Sequence, residues 1–521
     1  MRPMREWGER VERSRPTGAE CACLGTPHAS PGLRRETPLA GLAMRALKRN
    51  CANKQGNCAD GLRSSQMPPG ASMHKAMQLR PIPVLAAAAL LLLPANALAA
   101  PAAPKLSAAD RVMVNAVDAA KARDLALLEK LVNQNSGSRN MAGVKAVADL
   151  VRPEFEALGF TVRWLPMEHT GRAGHLVATL VGNRGAKRLL LIGHLDTVFE
   201  SDSPFQTFAR KGDMATGPGV ADNKGGVVAM LAALRAMAAA GTLKGANVVA
   251  YLTGDEEDAG EPQHAARADL VAMGKAADVA LDFEGLARDA DAAGKRVDMG
   301  SIARRSAQSW TIEVTADSGH SSGVFGADGD GAIYALSRMI AAIRAEAPEP
   351  NLTLNVGMIA GGAEAAIAAD QAHVSASGKT NIIPAKAIAR GDLRTLSPGQ
   401  NALAQQRMAA IVARAYPGAK AVIRFEDGYP PMAPTEANRV LLDRLNSINA
   451  ALGLPAMAPL DPMKRGAGDI SFVAADLPGL VGLGPASTGD HTPAETVDLP
   501  SLWLQAKRAA LLMSRLAAEK R

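Results

Sequence analysis

Leu189-Leu-Leu-Ile-Gly-His194-Leu-Asp196-Thr-Val198 is an apolar run of strand length that stops on a histidine and an aspartate. Short apolar runs bounded by polar residues suit strands buried on both faces, and residues 188–193 form one. Working outward, 175–181, 247–253 and 279–283 have the same character, and 225–240 has the length and spacing of a helix between two of them. Residues 108–132 and 143–158 add helices upstream, the second closed by Gly159. Strands alternating with helices predict an α/β layer whose central, mostly parallel sheet is flanked by helices.

Beyond residue 303 the pattern changes. Strands are expected over 309–315, 352–359, 387–393 and 421–426, with helices over 331–345 and 400–415. This β-α-β-β-α-β order is that of a small split-βαβ sandwich. After Tyr429-Pro430-Pro431 the helix–strand alternation resumes and ends in a helix over 500–519. A chain of 521 residues exceeds what one core usually organises. The reading is therefore an α/β domain in two parts, 101–303 and 431–521, interrupted by an inserted α+β domain over 304–430.

The formal net charge of +7 would favour a nucleic-acid partner were it spread over the body. It is not. Residues 1–100 hold 14 Lys and Arg against 6 Asp and Glu, which leaves 44 against 45 in 101–521. Within that basic leader, Met73-His-Lys-Ala-Met-Gln-Leu-Arg80 is a short basic segment. An apolar run over 81–93 and the small-x-small triplet Ala97-Leu98-Ala99 follow it. That order is the pattern of a signal peptide over 73–100, and the run is too short for a stable membrane span. Such a signal belongs at a chain start, so 1–72 is read as a doubtful extension, with translation beginning at Met73 or Met77. Cys21, Cys23, Cys51 and Cys58 all fall inside it. A periplasmic or secreted location is expected, and a body without cysteine suits an oxidising compartment.

Four clusters carry chemistry. His194 and Asp196 end the first strand, and Gly217-Pro-Gly-Val-Ala-Asp222-Asn-Lys-Gly-Gly226 places an aspartate in a glycine-rich turn before a helix. Leu252-Thr-Gly-Asp255-Glu256-Glu257-Asp258 and Ala280-Leu-Asp282-Phe-Glu284-Gly285 end two further strands. Singly, each reads as a turn or a solvated charge run. Together, at successive strand ends where α/β sheets bind ligands, the acids would repel one another unless cations neutralised them. Two divalent metals would do so, with neutral imidazole among their ligands.

The strings GHLDTV, GPGVADNKGG and TGDEEDAG resemble the signature segments of the zinc aminoacylase/carboxypeptidase family. Glutamate carboxypeptidase, aminoacylase, carnosinase and succinyl-diaminopimelate desuccinylase belong to that family. The bacterial glutamate carboxypeptidase branch is the nearest, and the resemblance covers residues 108–518. It implies a zinc-exopeptidase-like catalytic domain with an inserted lid and dimerisation domain. It implies His194, Asp222, Glu257, Glu284 and His491 as ligands of two divalent ions, zinc first, with cobalt or manganese as alternatives. Asp222 would bridge them through a segment with a cis bond to Asn223, Asp196 would orient His194, and Glu256 would be the general base. His491 comes from Ser487-Thr-Gly-Asp490-His491-Thr-Pro-Ala-Glu495.

Thr315-Ala-Asp-Ser-Gly-His320 resembles the lid histidine that reaches a dimer partner's active site and polarises the scissile carbonyl. Asn381 and Arg394 resemble residues that hold a substrate carboxylate, for which the planar guanidinium fork is apt. Gly466 and Gly468 resemble a glycine-rich substrate loop that reads GGTD in relatives, with Ala467 a departure.

These residues imply a hydrolase that cleaves an amide beside a free carboxylate: a carboxypeptidase releasing a C-terminal residue such as glutamate. The alternatives are an N-acyl-amino-acid amidohydrolase or a dipeptidase on the same scaffold. An inactive binding homologue would have lost the base or a ligand, and none is lost. The expected partners are a peptide or N-acyl amino acid and a second copy of the chain, without nucleic acid.

Overall fold

The computed structural model describes residues 105–327 and 329–521. The extension over 1–72 and the signal over 73–100, with all four cysteines, lie outside the described residues. Helix α1 (Ala108–Val132) opens them with a capping box in which the Ser107 side chain accepts from the Asp110 N–H and Asp110 reaches back to the Ser107 N–H. Helix α2 (Met141–Glu156) follows, capped by Asn140.

Strands β1 (Thr161–Pro166), β2 (Gly174–Leu180), β3 (Arg188–His194), β4 (Asn247–Thr253) and β5 (Val279–Asp282) join Gly479–Val481 in one six-stranded sheet. Its order is β1-β2-β4-β3-β5 and then the 479–481 strand. The three pairings from β4 across to Gly479–Val481 are parallel, and the two at the β1 edge are antiparallel. The sheet is mostly parallel, as expected, with an antiparallel margin. Strand β1 is absent from the sequence reading because its half-exposed pattern gives no continuous apolar run.

Helix α3 (Lys224–Ala239) crosses from β3 towards β4 with 13 of its 16 residues buried. A helix apolar all round needs neighbours on several sides, and α1 and the final helix Leu499–Ala517 both pack on it. Its many Ala and Gly residues let those helices approach closely. No helix among the described residues is long and apolar enough to cross a membrane.

A second sheet lies between the two parts of the first. Strands β6 (Gln308–Ala316), β7 (Thr353–Gly362), β8 (Lys386–Arg394) and β9 (Ala419–Phe425) pair antiparallel in the order β7-β8-β6-β9. Helices α4 (Gly331–Glu346) and α5 (Pro398–Val412) pack on it. Trp310, Ile312 and Val314 alternate inward from β6 to meet Leu336, Met339 and Met408, a core separate from that of the first sheet. The expected strand and helix order holds, with one hairpin added at Glu364–Ile367 and Val374–Ser377.

The chain enters and leaves this second unit through a two-stranded ribbon. Arg304 and Met432 exchange both backbone hydrogen bonds, at 3.0 and 2.9 Å, and the Ala307 N–H donates to the Tyr429 carbonyl at 3.0 Å.

Candidate active site

Parallel β3, β4 and β5 bring their carboxyl ends to one edge of the sheet. His194 closes β3, Glu256 and Glu257 follow β4, and Glu284 follows β5. The turn before α3 adds Asp222, and the loop before the final helix adds His491. His194 Nε2 lies 3.0 Å from Asp222 Oδ1 and 3.3 Å from Glu284 Oε1. His491 Nε2 lies 3.2 Å from Asp222 Oδ2 and 3.2 Å from Glu257 Oε2. Two groups, His194–Asp222–Glu284 and Asp222–Glu257–His491, therefore share Asp222, each with its donor atoms within 4.8 Å of one another. A third grouping, His194–Glu256–Glu257, places Glu256 against both.

The electrostatics are those of an uncompensated acid cluster. Burial and then the neighbouring Glu284 carboxylate push Glu256 well above the usual carboxylate range. Burial and then Asp222 lift Glu257 to about 7. For Asp222, burial opposes ionisation, but hydrogen bonds with His194 and His491 outweigh it and hold the carboxyl low. The same kind of contact, with Asp222 and then Glu257, raises His491 to about 11. Protons thus balance the acids, and divalent cations would take their place at the same atoms. Two imidazoles with three carboxylates are a donor set that zinc and similar ions accept. Among the described residues Glu257 Oε1 is buried with no hydrogen-bond partner, which also fits a ligand atom.

Several side chains fix this geometry. Asp196 Oδ1 accepts from the Glu256 N–H and Oδ2 from the Glu257 N–H, each at 3.0 Å. The Ser138 hydroxyl donates to Asp196 Oδ2 at 2.6 Å. Towards His194, Asp196 presents its backbone carbonyl at 3.1 Å from Nδ1 and Oδ1 at 3.3 Å. That contact leaves Nε2 facing Asp222 and Glu284, the arrangement that orients a metal-binding imidazole. The same carboxylate also holds the peptide that carries Glu256 and Glu257, a task the sequence did not suggest.

Glu495 plays a matching part for Asp222. It accepts from the N–H groups of Gly219 and Ala221 at 2.9 Å and of Asp222 at 3.0 Å. The Asp222–Asn223 peptide is cis, as the resemblance implies. His491 has φ 63°, a left-handed conformation that few non-glycine residues adopt but histidine tolerates better than most.

The residues expected to contact substrate are more dispersed. Gly466 and Gly468 lie beside two arginines: a Cβ on Gly466 would sit 3.4 Å from Arg394 Nη1, and one on Gly468 would sit 2.5 Å from Arg304 Nη1. Arg304, buried, donates from Nε to the Gly466 carbonyl at 2.9 Å and lies 3.4 Å from Glu284 Oε2. Arg465 donates to the Gly285 carbonyl, next to Glu284. Arg305 donates to the Thr353 hydroxyl at 2.8 Å and to the Met463 carbonyl at 3.3 Å. Among the described residues, Arg304 Nη1, Arg305 Nε and Arg465 Nε are buried with no hydrogen-bond partner. Burial and then Arg394 lower the Arg305 guanidinium, and burial and then Arg304 lower that of Arg465.

His320 and Asn381 stand together on the second unit. The Ser321 N–H donates to the Asn381 carbonyl at 3.0 Å, and exposed His320 contacts the Ser322 hydroxyl at 2.9 Å. Among the described residues, no hydrogen bond or ion pair joins either to the two carboxylate–histidine groups.

The sequence pattern of peptidase family M20/M25/M40 matches residues 190–515, which span the whole cluster from His194 to His491. The chain belongs to that family. Within this M20 family it is similar to carboxypeptidase G2 of Pseudomonas sp. (strain RS-16), 25% identical over 421 residues that cover 79% of this chain and 93% of that protein. Its fold is similar to that of a Staphylococcus aureus tripeptidase, with TM-score 0.57 and 18% identity over 77% of this chain and 99% of that one. Human carnosine dipeptidase 1 has TM-score 0.55 and 15% identity over 80% of this chain and 100% of that one. As a member of the M20 family the chain is a metallopeptidase, and its candidate ligands are those gathered around Asp222.

Proposed function

We propose that this M20 metallopeptidase is a dinuclear zinc carboxypeptidase that removes a C-terminal residue with an acidic side chain, such as glutamate. The observation that carries the two-ion reading is Asp222, whose two carboxylate oxygens face one imidazole each, in donor groups that share no other residue. When bound, divalent cations there supply Lewis acidity and make water acidic near neutral pH. Glu256, half-buried beside His194 and Glu257, takes a proton from the attacking water and delivers it to the departing amine nitrogen. Asp196 keeps Glu256 and Glu257 at their posts through two N–H contacts. The acidic-substrate reading rests on the arginines about Gly466, among them Arg305 and Arg465, whose buried Nε atoms have no hydrogen-bond partner among the described residues. A substrate with two carboxylates supplies the missing acceptors.

Dimerisation through the second unit belongs to the same reading, since His320 is expected to reach a partner's site, while Asn381 is expected to hold the substrate carboxylate. Export to the periplasm or beyond rests on the order of basic, apolar and small residues in 73–99.

Chelation followed by dialysis is expected to abolish hydrolysis of N-acyl and peptidyl glutamate. Zinc restores it, and metal analysis of the active protein gives two ions per chain; one ion per chain refutes the dinuclear reading. Arg465→Ala is expected to lower kcat/KM for a C-terminal glutamate about 10- to 100-fold, the loss of a charged hydrogen bond, with little change for a C-terminal leucine. Equal losses on both substrates would remove Arg465 from side-chain selection. Turnover of N-acyl amino acids with none of peptides would favour an aminoacylase.

A further inference from the structure

Glu256 is held from below by Asp196, and its peptide is also held from the other side. The Tyr429 hydroxyl donates to the Glu256 carbonyl at 2.7 Å. That hydroxyl in turn accepts from Arg267 Nη2 at 3.0 Å. Arg267 is fully buried and donates to Asp255 Oδ1 at 2.6 Å, to the Asp255 carbonyl at 2.9 Å and to Asp469 Oδ1 at 2.8 Å. Thr253, the last residue of β4, donates to the other Asp469 oxygen at 2.5 Å. The Tyr429 ring packs edge-on against Phe472 at 5.1 Å, and the Arg267 guanidinium lies 5.8 and 5.7 Å from those two ring centres.

This cluster ties together four segments: the end of β4 with the Asp255–Glu256 turn, the Arg267 helix start, the glycine loop that ends at Asp469, and the ribbon that returns from the second unit. A tyrosine buried for packing alone would need its hydroxyl satisfied by any acceptor. Here the acceptor is the backbone of the proposed base, and the donor behind it is a guanidinium already committed to the residue preceding that base. A donor polarised by a charged group makes a stronger hydrogen bond, so the grip on the Glu256 carbonyl exceeds that of an isolated tyrosine. The Glu256 N–H is fixed by Asp196 and its C=O by Tyr429, which fixes the backbone from which the carboxylate projects.

From this we infer that Tyr429 is a positioning residue for Glu256, linking the ribbon that enters the second unit to the placement of the base. The inference rests on the proposed role of Glu256. Tyr429→Phe keeps the ring on Phe472 and Arg267 and removes only the hydroxyl. In the metal-loaded full chain, kcat is expected to fall at least tenfold while KM stays within twofold and the melting temperature within about 2 °C. Amide exchange of the peptide covering 253–258 is expected to rise severalfold, with α3 and the second sheet unchanged.

A structural role alone predicts a lower melting temperature and exchange spread over both units, and that result overturns the inference. So does unchanged exchange over 253–258, whether or not the protein is active on the substrate tested. Wild-type kcat in a folded Tyr429→Phe variant, beside an inactive Glu256→Ala, overturns it while leaving the reaction intact. Full activity in Glu256→Ala refutes the base assignment instead.

Discussion

In Glu256→Ala, kcat falls about 10²- to 10⁴-fold, the range for losing a general acid–base residue, while the metal content stays at the wild-type value. Glu256 lies close enough to His194 and Glu257 for its carboxylate to be a ligand rather than a base. Metal analysis separates the two roles. A ligand takes its ion with it when removed, whereas a base leaves both ions behind and stops the proton transfer. The variant also removes a half-buried carboxyl held well above its usual range by desolvation and then by Glu284. The alanine protein is accordingly expected to fold, and a thermal melt in the presence of zinc checks this. Full turnover, or loss of an ion, would falsify the assignment.

Asp222→Ala is expected to release both ions together. Asp222 is the one residue shared by these two donor groups, through a different oxygen in each, so each group drops from three residues to two. Removing Glu284 or His491 instead touches one group and should cost one ion first. An ion that binds only the folded state raises the melting temperature in proportion to the logarithm of its concentration. Added zinc is therefore expected to raise the melting temperature of the wild type and to leave that of Asp222→Ala nearly unmoved. A zinc-dependent rise of wild-type size in the alanine variant would show that Asp222 is not shared. This readout does not depend on choosing the right substrate.

The contrast between the ligand cluster and its supports shows what a single sequence can disclose. As a cluster, His194, Glu256, Glu257 and Glu284 were legible because each follows an apolar run of strand length, and parallel strands bring such positions to one edge. Their separate roles, and those of Asp222 and His491, came from the resemblance of the segments that carry them. The supporting residues arrive by tertiary contact. Arg267, Arg304, Arg465 and Tyr429 carry no local mark, since arginine and tyrosine are ordinary on surfaces and only the fold shows that these are buried or committed. Glu495 lay within a quoted segment, yet its three N–H partners are more than 270 positions away. Strand β1 and the added hairpin escaped for a different reason. Their short, half-exposed alternation is too weak to separate from loop.

The two-stranded ribbon has an implication for how such proteins diversify. The second sheet closes a core of its own, and its chain enters and leaves at paired crossings, a seam. Its outer surface, where Ile359 and Val422 stand exposed, takes no part in any role proposed above for His320, Asn381 or Arg394. What cannot drift freely is the seam. Arg304 and Tyr429 lie on it, one turned to Glu284 and the glycine loop and the other to the Glu256 carbonyl. A graft that keeps the sandwich but replaces these two positions inherits the shape and forfeits the alignment. Chimaeras between relatives should therefore be cut outside residues 304 and 432, not between them and the second sheet.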